Sequence, residues 1–210
     1  MLWVSLISII AGIIYFKPEP LMWIPLIVSA IMMFLQSRVN RYAFLVGAIN
    51  AVFFTISYAK MELYATAAYA LLVSCTLQVA AFINWSKHTQ KNETDIKSMT
   101  WGTRIKLITG MALMWGIIYL IFVSFNSEYL LFDSTITVLG VIATILCTLR
   151  YKEYIVLQML TRLSSIVTYV VMLSTDPSRI IWVISGLNGM ISLIIAIISI
   201  NGRKEKCIEK

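Results

Sequence analysis

Eight apolar blocks, separated by short polar segments, run through the whole chain. An apolar stretch of about 20 residues is long enough to cross the hydrocarbon core of a membrane as an α-helix. Most blocks approach that length. The first two are shorter, and the pattern leaves open whether the first one crosses completely. The sequence therefore predicts an all-α polytopic membrane protein, with helices at residues 2–16, 21–35, 42–58, 63–85, 105–125, 134–149, 154–173 and 180–200.

Composition and charge agree with this class. Of the 210 residues, 60% are hydrophobic and 13% are charged. If successive loops lie on alternate sides of a membrane, thirteen positive charges fall on one side and three, Lys17, Lys60 and Arg179, on the other. Because cytoplasmic loops carry the excess of Lys and Arg, we expect the cell membrane as location, with both termini and the 86–104 loop cytoplasmic.

The charges and the tryptophan positions also indicate which partners the protein is expected to have. A net charge of +7 requires no nucleic acid, because these charges would face the anionic lipid surface of the bilayer. Most of the six tryptophans lie near the ends of predicted helices, which is typical of interfacial anchors. The lipid bilayer and a small-molecule substrate are therefore the predicted partners.

An internal repeat links the two halves of the chain. Three residues recur at the same spacing: an Arg, a Tyr four positions later, and a strongly polar residue eight positions after the Tyr. They are Arg38, Tyr42 and Asn50 in the first copy, and Arg150, Tyr154 and Arg162 in the second. A single linker helix between the copies gives both triplets the same direction, as in transporters with parallel repeats. We therefore predict a 3+1+3 arrangement of transmembrane helices, as two parallel triple-helix repeats, plus an extra N-terminal hydrophobic helix. The predicted units are 1–20 (N-terminal helix and turn), 21–85 (first repeat), 86–104 (loop), 105–125 (linker helix), 126–200 (second repeat) and 201–210 (basic tail).

Polar residues inside the apolar blocks are the candidates for a site. Arg162 lies within the apolar run 155–173, where a cation costs at least about 2.5 kcal/mol. Such a residue faces a bundle interior, a water-filled cavity or a ligand. The alternative for Arg162 and the buried amides is hydrogen bonding between helices, and for Phe82 it is packing. The predicted substrate-binding residues are Asn50, Tyr69, Gln78, Phe82, Gln158 and Arg162.

Catalysis and metal binding find no support in the sequence. There is no Gly-rich phosphate loop and no nucleophile beside a base, so we expect a protein that is not an enzyme. His88, the single histidine, is expected to be a solvated loop residue, and no metal or cofactor is predicted. Asp95, Asp133 and Asp176 are assigned to loops or helix ends. With no acid expected inside the membrane, we predict a uniporter rather than a proton-coupled transporter.

Short motifs occur in a fixed order over residues 21–200. In the first half they are Gly47-Ala48-Ile49-Asn50, Glu62-Leu63-Tyr64-Ala65 and Trp85; in the second they are Asp133-Ser134, Val138-Leu139, Thr148, Tyr151, Glu153 and Leu187-Asn188-Gly189. This ordered set resembles the PnuC family of nicotinamide riboside (nicotinamide mononucleotide) transporters. The resemblance implies a SWEET-like 3+1+3 fold and facilitated diffusion of a vitamin-derived nucleoside that the cell traps by phosphorylation. It also adds Asn188 to the substrate-binding candidates and allows a homotrimer.

Two helices depart from the family pattern. The family's third helix has an Asn, then aromatic residues and a Trp-x-x-Trp ending; the corresponding residues here are Gln78, Phe82 and Trp85. The family's sixth core helix has the pattern Trp-x-x-Trp-x-x-x-Asn. The corresponding residues here are Ile155, Gln158 and Arg162. Nicotinamide riboside carries a positive ring, which a bare Arg162 would repel. The sequence leaves two explanations: an acidic partner neutralises Arg162, or the ligand carries an anionic or electron-rich group.

The predicted function is transport of nicotinamide riboside or a related vitamin or nucleoside by facilitated diffusion. Within the family, the resemblance leaves thiamine, riboflavin and a deoxynucleoside as alternative substrates. The alternative from a different class is a membrane scaffold or sensor that does not transport.

Overall fold

A computed structural model describes residues 2–17, 19–38, 40–87, 89–90, 93–94, 97–125 and 129–208. His88 and Asp95, both expected in a loop, lie outside these residues. The described chain is almost entirely helical. Its helices are α1 (Leu2–Phe16), α2 (Pro20–Ser37), α3 (Tyr42–Lys60), α4 (Tyr64–Lys87), α5 (Trp101–Val123), α6 (Leu130–Thr148), α7 (Tyr154–Met172) and α8 (Ile180–Ile208).

Three short elements complete the description. A π-helical segment, Tyr69–Ser74, forms part of α4, and a 3₁₀ turn, Pro177–Arg179, precedes α8. Two antiparallel strands of two residues each, Thr89–Gln90 and Glu93–Thr94, lie in the loop between α4 and α5.

Six of the described helices, α3 to α8, are long and apolar enough to cross a membrane. The first two, α1 and α2, are shorter apolar helices, as the short first blocks of the sequence indicate. Eight crossings therefore stay a prediction. The observed α5 begins at Trp101, before the apolar block at 105–125. Its first turn includes Arg104, whose guanidinium is bound by Glu153.

The helices form a closed ring. Going round it, α2 packs on α3, α3 on α4, α4 on α6, α6 on α7, α7 on α8, and α8 on α2. Helix α1 packs outside the ring against α2 and α8. Helix α5 packs mainly on α6 and has no buried residue among those described, so it is peripheral. The ring therefore surrounds a central space that α1 and α5 do not border.

Helices α4 and α6 run in the same direction and are joined at both ends. At the start of α4, the N–H groups of Ala65 and Thr66 donate to the Asp133 carboxylate on α6. At its end, Asn84 Nδ2 donates to the carbonyl of Thr148, at 2.6 Å, and Trp85 Nε1 to that of Cys147, at 2.9 Å. Helix ends leave backbone groups without partners inside the helix. Each helix here supplies side chains that bind backbone groups at an end of the other.

The turn between α6 and α7 holds the loop that leads into α5. The N–H of Lys97 donates to the carbonyl of Arg150, and the N–H of Lys152 donates to that of Lys97. Glu153 accepts hydrogen bonds from Arg104 Nη2, at 2.8 Å, and from the N–H of Met99, at 3.0 Å. Partial burial acts to raise the pKa of Glu153, but these hydrogen bonds outweigh it and hold the pKa below its ordinary value.

The tryptophans divide into two groups. Trp3 and Trp101 are 74% and 76% exposed, as expected of residues that anchor at a membrane surface. Trp85 and Trp182 are 2% and 4% exposed, so the interfacial interpretation is wrong for them. Trp182 packs in an aromatic cluster with Phe54, Tyr58 and Tyr169. Their position near helix ends did not reveal that both rings point inward.

Candidate substrate-binding site

The helix ring surrounds a cavity with a volume of about 160 Å³. This volume is the space that the centre of a water-sized sphere can occupy. One water needs roughly 10–15 Å³ of such space, so the cavity has room for a small organic molecule. Side chains from α2, α3, α4, α6 and α7 line it. The polar ones are Gln36, Asn40, Asn50, Thr66, Ser74, Gln78, Thr144, Gln158, Thr161, Arg162 and Ser165, and the aromatic ones are Phe44, Phe54, Tyr58, Tyr69, Trp85 and Tyr154.

Five of the seven predicted binding residues line this cavity: Asn50, Tyr69, Gln78, Gln158 and Arg162. The structure does not bring the other two to it. Phe82 packs against Tyr42, with ring centroids 5.8 Å apart. Asn188 Nδ2 donates to Ser8 Oγ at 3.2 Å and thereby links α8 to α1. This contact corresponds to the helix–helix bonding that polar residues make in membranes.

Asn50 and Arg162 occupy the same position in two equally long helices. Asn50 is the ninth residue of α3 and Arg162 the ninth of α7, and both helices have 19 residues. At 1.5 Å per residue, each lies about 12 Å from the start of its helix, near the middle. The internal repeat in the sequence therefore places its two polar residues at the same depth, and both face one cavity.

Asn50 presents an acceptor without a partner. Its side chain is 1% exposed, and its Nδ2 donates to Ser29 Oγ on α2 at 2.8 Å. Its Oδ1 is buried and has no hydrogen-bond partner among the described residues. A buried acceptor left without a donor is costly. A ligand donor in the cavity would remove that cost.

Arg162 is half-buried and lines the cavity from α7. Its side chain runs over Gly189 on α8, where an added Cβ would lie 3.3 Å from Nε and 3.2 Å from Met33 Cε. No hydrogen bond or ion pair joins its guanidinium to another residue in the described part of the chain.

Two glycines make room for polar side chains of α4. A Cβ at Gly47 would lie 1.6 Å from Gln78 Oε1, and one at Gly140 would lie 2.9 Å from the ring of Tyr69. The amide of Gln78 also donates to Ser74 Oγ at 3.0 Å, and the Tyr69 hydroxyl lies 2.8 Å from Thr144 Oγ1. The π-helical segment begins at Tyr69 and ends at Ser74, and such segments are frequent at functional sites.

An amide pair and two aromatic rings line the end of the cavity beside the last turn of α2 and the start of α7. Gln36 Nε2 on α2 donates to Gln158 Oε1 on α7 at 2.7 Å. The rings of Phe44 and Trp85 meet edge to face, with centroids 5.0 Å apart. At the other end, the rings of Phe54 and Tyr58 stack, with centroids 5.2 Å apart. The cavity thus has aromatic rings toward both ends, and amide groups at one end and in the middle.

Asp133 corrects a sequence-based expectation. Asp133 lies at a helix end, as the sequence predicts, in the first turn of α6. The sequence also predicts no buried acid, and that prediction is wrong because Asp133 is fully buried. Its carboxylate accepts from the N–H groups of Ala65 and Thr66, at 2.9 and 2.8 Å, and from Thr66 Oγ1, at 2.5 Å. Negative charge is stabilised at a helix N-terminus. Asp133 itself does not line the cavity.

The sequence missed several lining residues that a helical stripe could have revealed. Ala43, Gly47, Asn50 and Phe54 on α3 are spaced by four, three and four residues, and so are Tyr154, Gln158, Thr161 and Ser165 on α7. This spacing defines one face of a helix. Extending the stripe from Asn50 and Gln158 would have added Phe54, Tyr154 and Ser165. Gln36 lies just beyond the apolar block that ends at residue 35, and nothing in its local sequence marks it.

Comparisons with known proteins agree on one family. A solved structure described as the crystal structure of the vitamin B3 transporter PnuC superposes with a TM-score of 0.74; it is 16% identical, and the match covers 93% of this chain and 89% of that one. At that identity the likeness shows the fold. No curated protein sequence matches the chain. The family model described as nicotinamide mononucleotide transporter matches residues 19–202. The chain is therefore a multi-pass membrane protein of the nicotinamide mononucleotide transporter (PnuC) family, which consists of transporters and not of enzymes.

Proposed function

We propose that this protein moves nicotinamide riboside or a closely related vitamin-like nucleoside across the cell membrane by facilitated diffusion. The observation that carries the proposal is a cavity at the centre of the helix ring, lined by amides, hydroxyls and aromatic rings. Ligand pockets are largely apolar with a few polar groups that fix orientation. The similar solved structure is that of a vitamin B3 transporter, which agrees with a substrate of this class.

The lining residues suggest how such a substrate would be held. The amide groups of Asn50, Gln78 and Gln158 can exchange hydrogen bonds with a carboxamide or with ribose hydroxyls. Aromatic rings such as those of Tyr69 and Trp85 can lie against a flat heterocycle. We propose Asn50, Tyr69, Gln78, Gln158 and Arg162 as the substrate-binding residues.

We also propose the 3+1+3 arrangement, with α2–α4 and α6–α8 as parallel repeats and α5 as the linker. Three observations support it: the six helices of the two triplets form the ring, α5 is peripheral, and Asn50 and Arg162 occupy the ninth position of corresponding helices. The distribution of positive charges supports cytoplasmic termini. The trimer that the resemblance allows stays a prediction, which native mass spectrometry would measure.

Facilitated diffusion with intracellular trapping is the mechanism we propose. No carboxylate or imidazole lines the cavity among the described residues, and such groups commonly carry protons in coupled transporters. The buried acid, Asp133, is occupied by backbone N–H groups of α4. Accumulation would then require a separate cellular reaction, such as phosphorylation, that consumes the transported nucleoside.

Uptake into liposomes tests the proposal. Reconstituted protein should equilibrate labelled nicotinamide riboside without a proton or sodium gradient, and a protonophore should leave the initial rate unchanged. Asn50→Ala should weaken binding about two- to tenfold, because one hydrogen bond is lost. Thr109→Ala, on the exposed surface of α5, is the matched control and should transport normally.

Two results would contradict the proposal in different ways. A steep loss of initial rate with the protonophore would replace diffusion by proton coupling. A ligand of the native state raises its apparent stability. If nicotinamide riboside, thiamine, riboflavin and deoxynucleosides are not taken up and do not stabilise the protein, a scaffold or sensor is favoured.

A further inference from the structure

We propose that the transported ligand carries an oxyanion, a phosphate monoester or a carboxylate, which binds to the guanidinium of Arg162. This inference rests on the proposed function, because it assumes that the central cavity is the transport site. It names the chemical class of the ligand. Within the nicotinamide series it favours a phosphorylated or carboxylated compound over nicotinamide riboside itself.

The first observation is an uncompensated charge. Of the described residues that line the cavity, Arg162 alone is charged. It makes no ion pair and no hydrogen bond within the described chain. Its place near the middle of a 19-residue membrane-crossing helix keeps it away from the water at either membrane surface. A charge in that position is expensive unless it is paired or hydrated.

The acidic residues whose side chains are described do not neutralise it. Asp133 is occupied by the N-terminus of α4, and Glu153 by Arg104 and Met99. Asp176 pairs with Arg179, and Glu19 with Lys60. Glu62, in the turn after α3, does not line the cavity. Of the two explanations that the sequence left, the acidic partner has no support here.

The second observation is where the Arg162 side chain lies. Its aliphatic stem lies over Gly189, so closely that an added Cβ would lie 3.3 Å from Nε. A guanidinium presents its donors in a rigid fork that matches the oxygens of a carboxylate or a phosphate.

The third observation is the complementary acceptor on the other repeat. Asn50 Oδ1 is buried without a partner among the described residues, at the same helix position on α3 as Arg162 on α7. The cavity therefore offers a cation and an unsatisfied acceptor at one depth. A ligand that satisfies both has an oxyanion in one part and an N–H or O–H donor in another. A cationic heterocycle without an oxyanion leaves the guanidinium unpaired and adds a like charge.

Equilibrium binding of matched ligands to the purified full-length protein tests the inference. The pairs are nicotinamide riboside with nicotinamide mononucleotide, thiamine with its monophosphate, riboflavin with its 5′-phosphate, and thymidine with its monophosphate. Nicotinate riboside is added to compare a carboxylate with a phosphate on the same scaffold. We expect the anionic member of at least one pair to bind about ten- to hundredfold more tightly, as a charge-assisted hydrogen bond predicts.

Variants assign that preference to one side chain. Arg162→Gln and Arg162→Asn, the second of which copies Asn50 of the other repeat, should reduce the preference to less than about threefold. Arg38→Gln removes one positive charge from an exposed residue outside the cavity, and it should leave the preference unchanged. If the Arg162 variants do not fold, the wild-type comparison still tests whether the ligand carries an oxyanion, because equal binding within every pair overturns the inference.

The outcomes separate the two proposals. If nicotinamide riboside is transported and no oxyanion improves binding in any pair, the inference fails and the proposed function stands. If a phosphate is preferred on a scaffold other than nicotinamide, and no nicotinamide compound binds, the inference stands and the nicotinamide assignment fails. If no oxyanion probe binds, or if the preference survives Arg162→Gln, the inference is overturned.

Discussion

Asp133 on α6 holds Thr66 on α4 through both its backbone and its side chain. The carboxylate Oδ1 accepts from the N–H of Thr66 at 2.8 Å and from its hydroxyl at 2.5 Å. Thr66 lines the cavity, whereas Asp133 lies behind it. A charged group that lies outside the candidate binding surface therefore fixes part of that surface, and it joins two helices that the chain separates by α5.

Asp133→Asn should lower the thermal stability of the purified protein strongly. Each hydrogen bond to a charged group contributes on the order of 1.5–3 kcal/mol, and a buried donor left unsatisfied adds to the loss. Thr66→Ala should cost less, because its backbone N–H keeps the bond to the carboxylate. Differential scanning fluorimetry in detergent measures both, and equal stability of Asp133→Asn and the wild type would show that Asp133 is not an anchor.

Gly47→Ala should weaken ligand binding with a small effect on stability. The added methyl would lie 1.6 Å from Gln78 Oε1, and the end of a flexible side chain can move away at low cost. The amide would then leave its place at the cavity wall. The expected result is a several-fold higher Kd with a similar Tm. Gly102→Ala, on exposed α5 with open space around it, is the control, and an unchanged Kd for Gly47→Ala would remove Gln78 from the site.

The bond between Gln36 and Gln158 predicts coupling between α2 and α7. In a double-mutant cycle with alanine at both positions, the two changes in stability should not add, with a coupling of about 0.5–1.5 kcal/mol. Gln36→Ala paired with Thr109→Ala, two residues without a shared contact, should be additive. Additivity for the Gln36 and Gln158 pair would mean that this amide bond does not stabilise the packing of α2 on α7.

The stabilising effect of Glu153 should depend on pH. Its pKa is lowered in the folded protein, because its hydrogen bonds with Arg104 and Met99 outweigh the effect of partial burial. The contribution is therefore complete above the unfolded pKa of about 4.3 and is lost as pH falls through the folded value. Glu153→Gln should lower the free energy of unfolding by less than about 1 kcal/mol. The resulting difference in Tm from the wild type should be constant near neutral pH and become smaller in acid. A difference that does not change over this range would exclude the charge as its cause.

Membrane topology can be read by cysteine labelling in a background without Cys75, Cys147 and Cys207. Single cysteines in the 86–104 loop and in the tail after residue 200 should react from the cytoplasmic side. One at Ser127, which lies outside the described residues, should react from the outside. Labelling of the long loop from outside would reverse the orientation that the positive charges predict.

The sequence alone determined the class of the protein and the depth of its polar residues. Blocks of about 20 apolar residues require a membrane, and the constant rise of a helix converts the position of Asn50 in α3 and of Arg162 in α7 into the same depth. These properties are local, because they depend on composition and on distance along a single helix.

The direction of each side chain around its helix was decided by tertiary structure. In a membrane, both the lipid-facing and the inward-facing sides of a helix are largely apolar. Hydrophobic periodicity therefore reveals the side that faces the cavity only where polar residues mark it, as Asn50 does on α3 and Gln158 does on α7. Phe82 and Asn188 were predicted at the site but lie elsewhere, whereas Trp85 points into it. Asp133 is buried because the start of α6 meets the free N–H groups of α4. Such contacts exist only once the helices have packed into the ring, and no pattern within one segment encodes them.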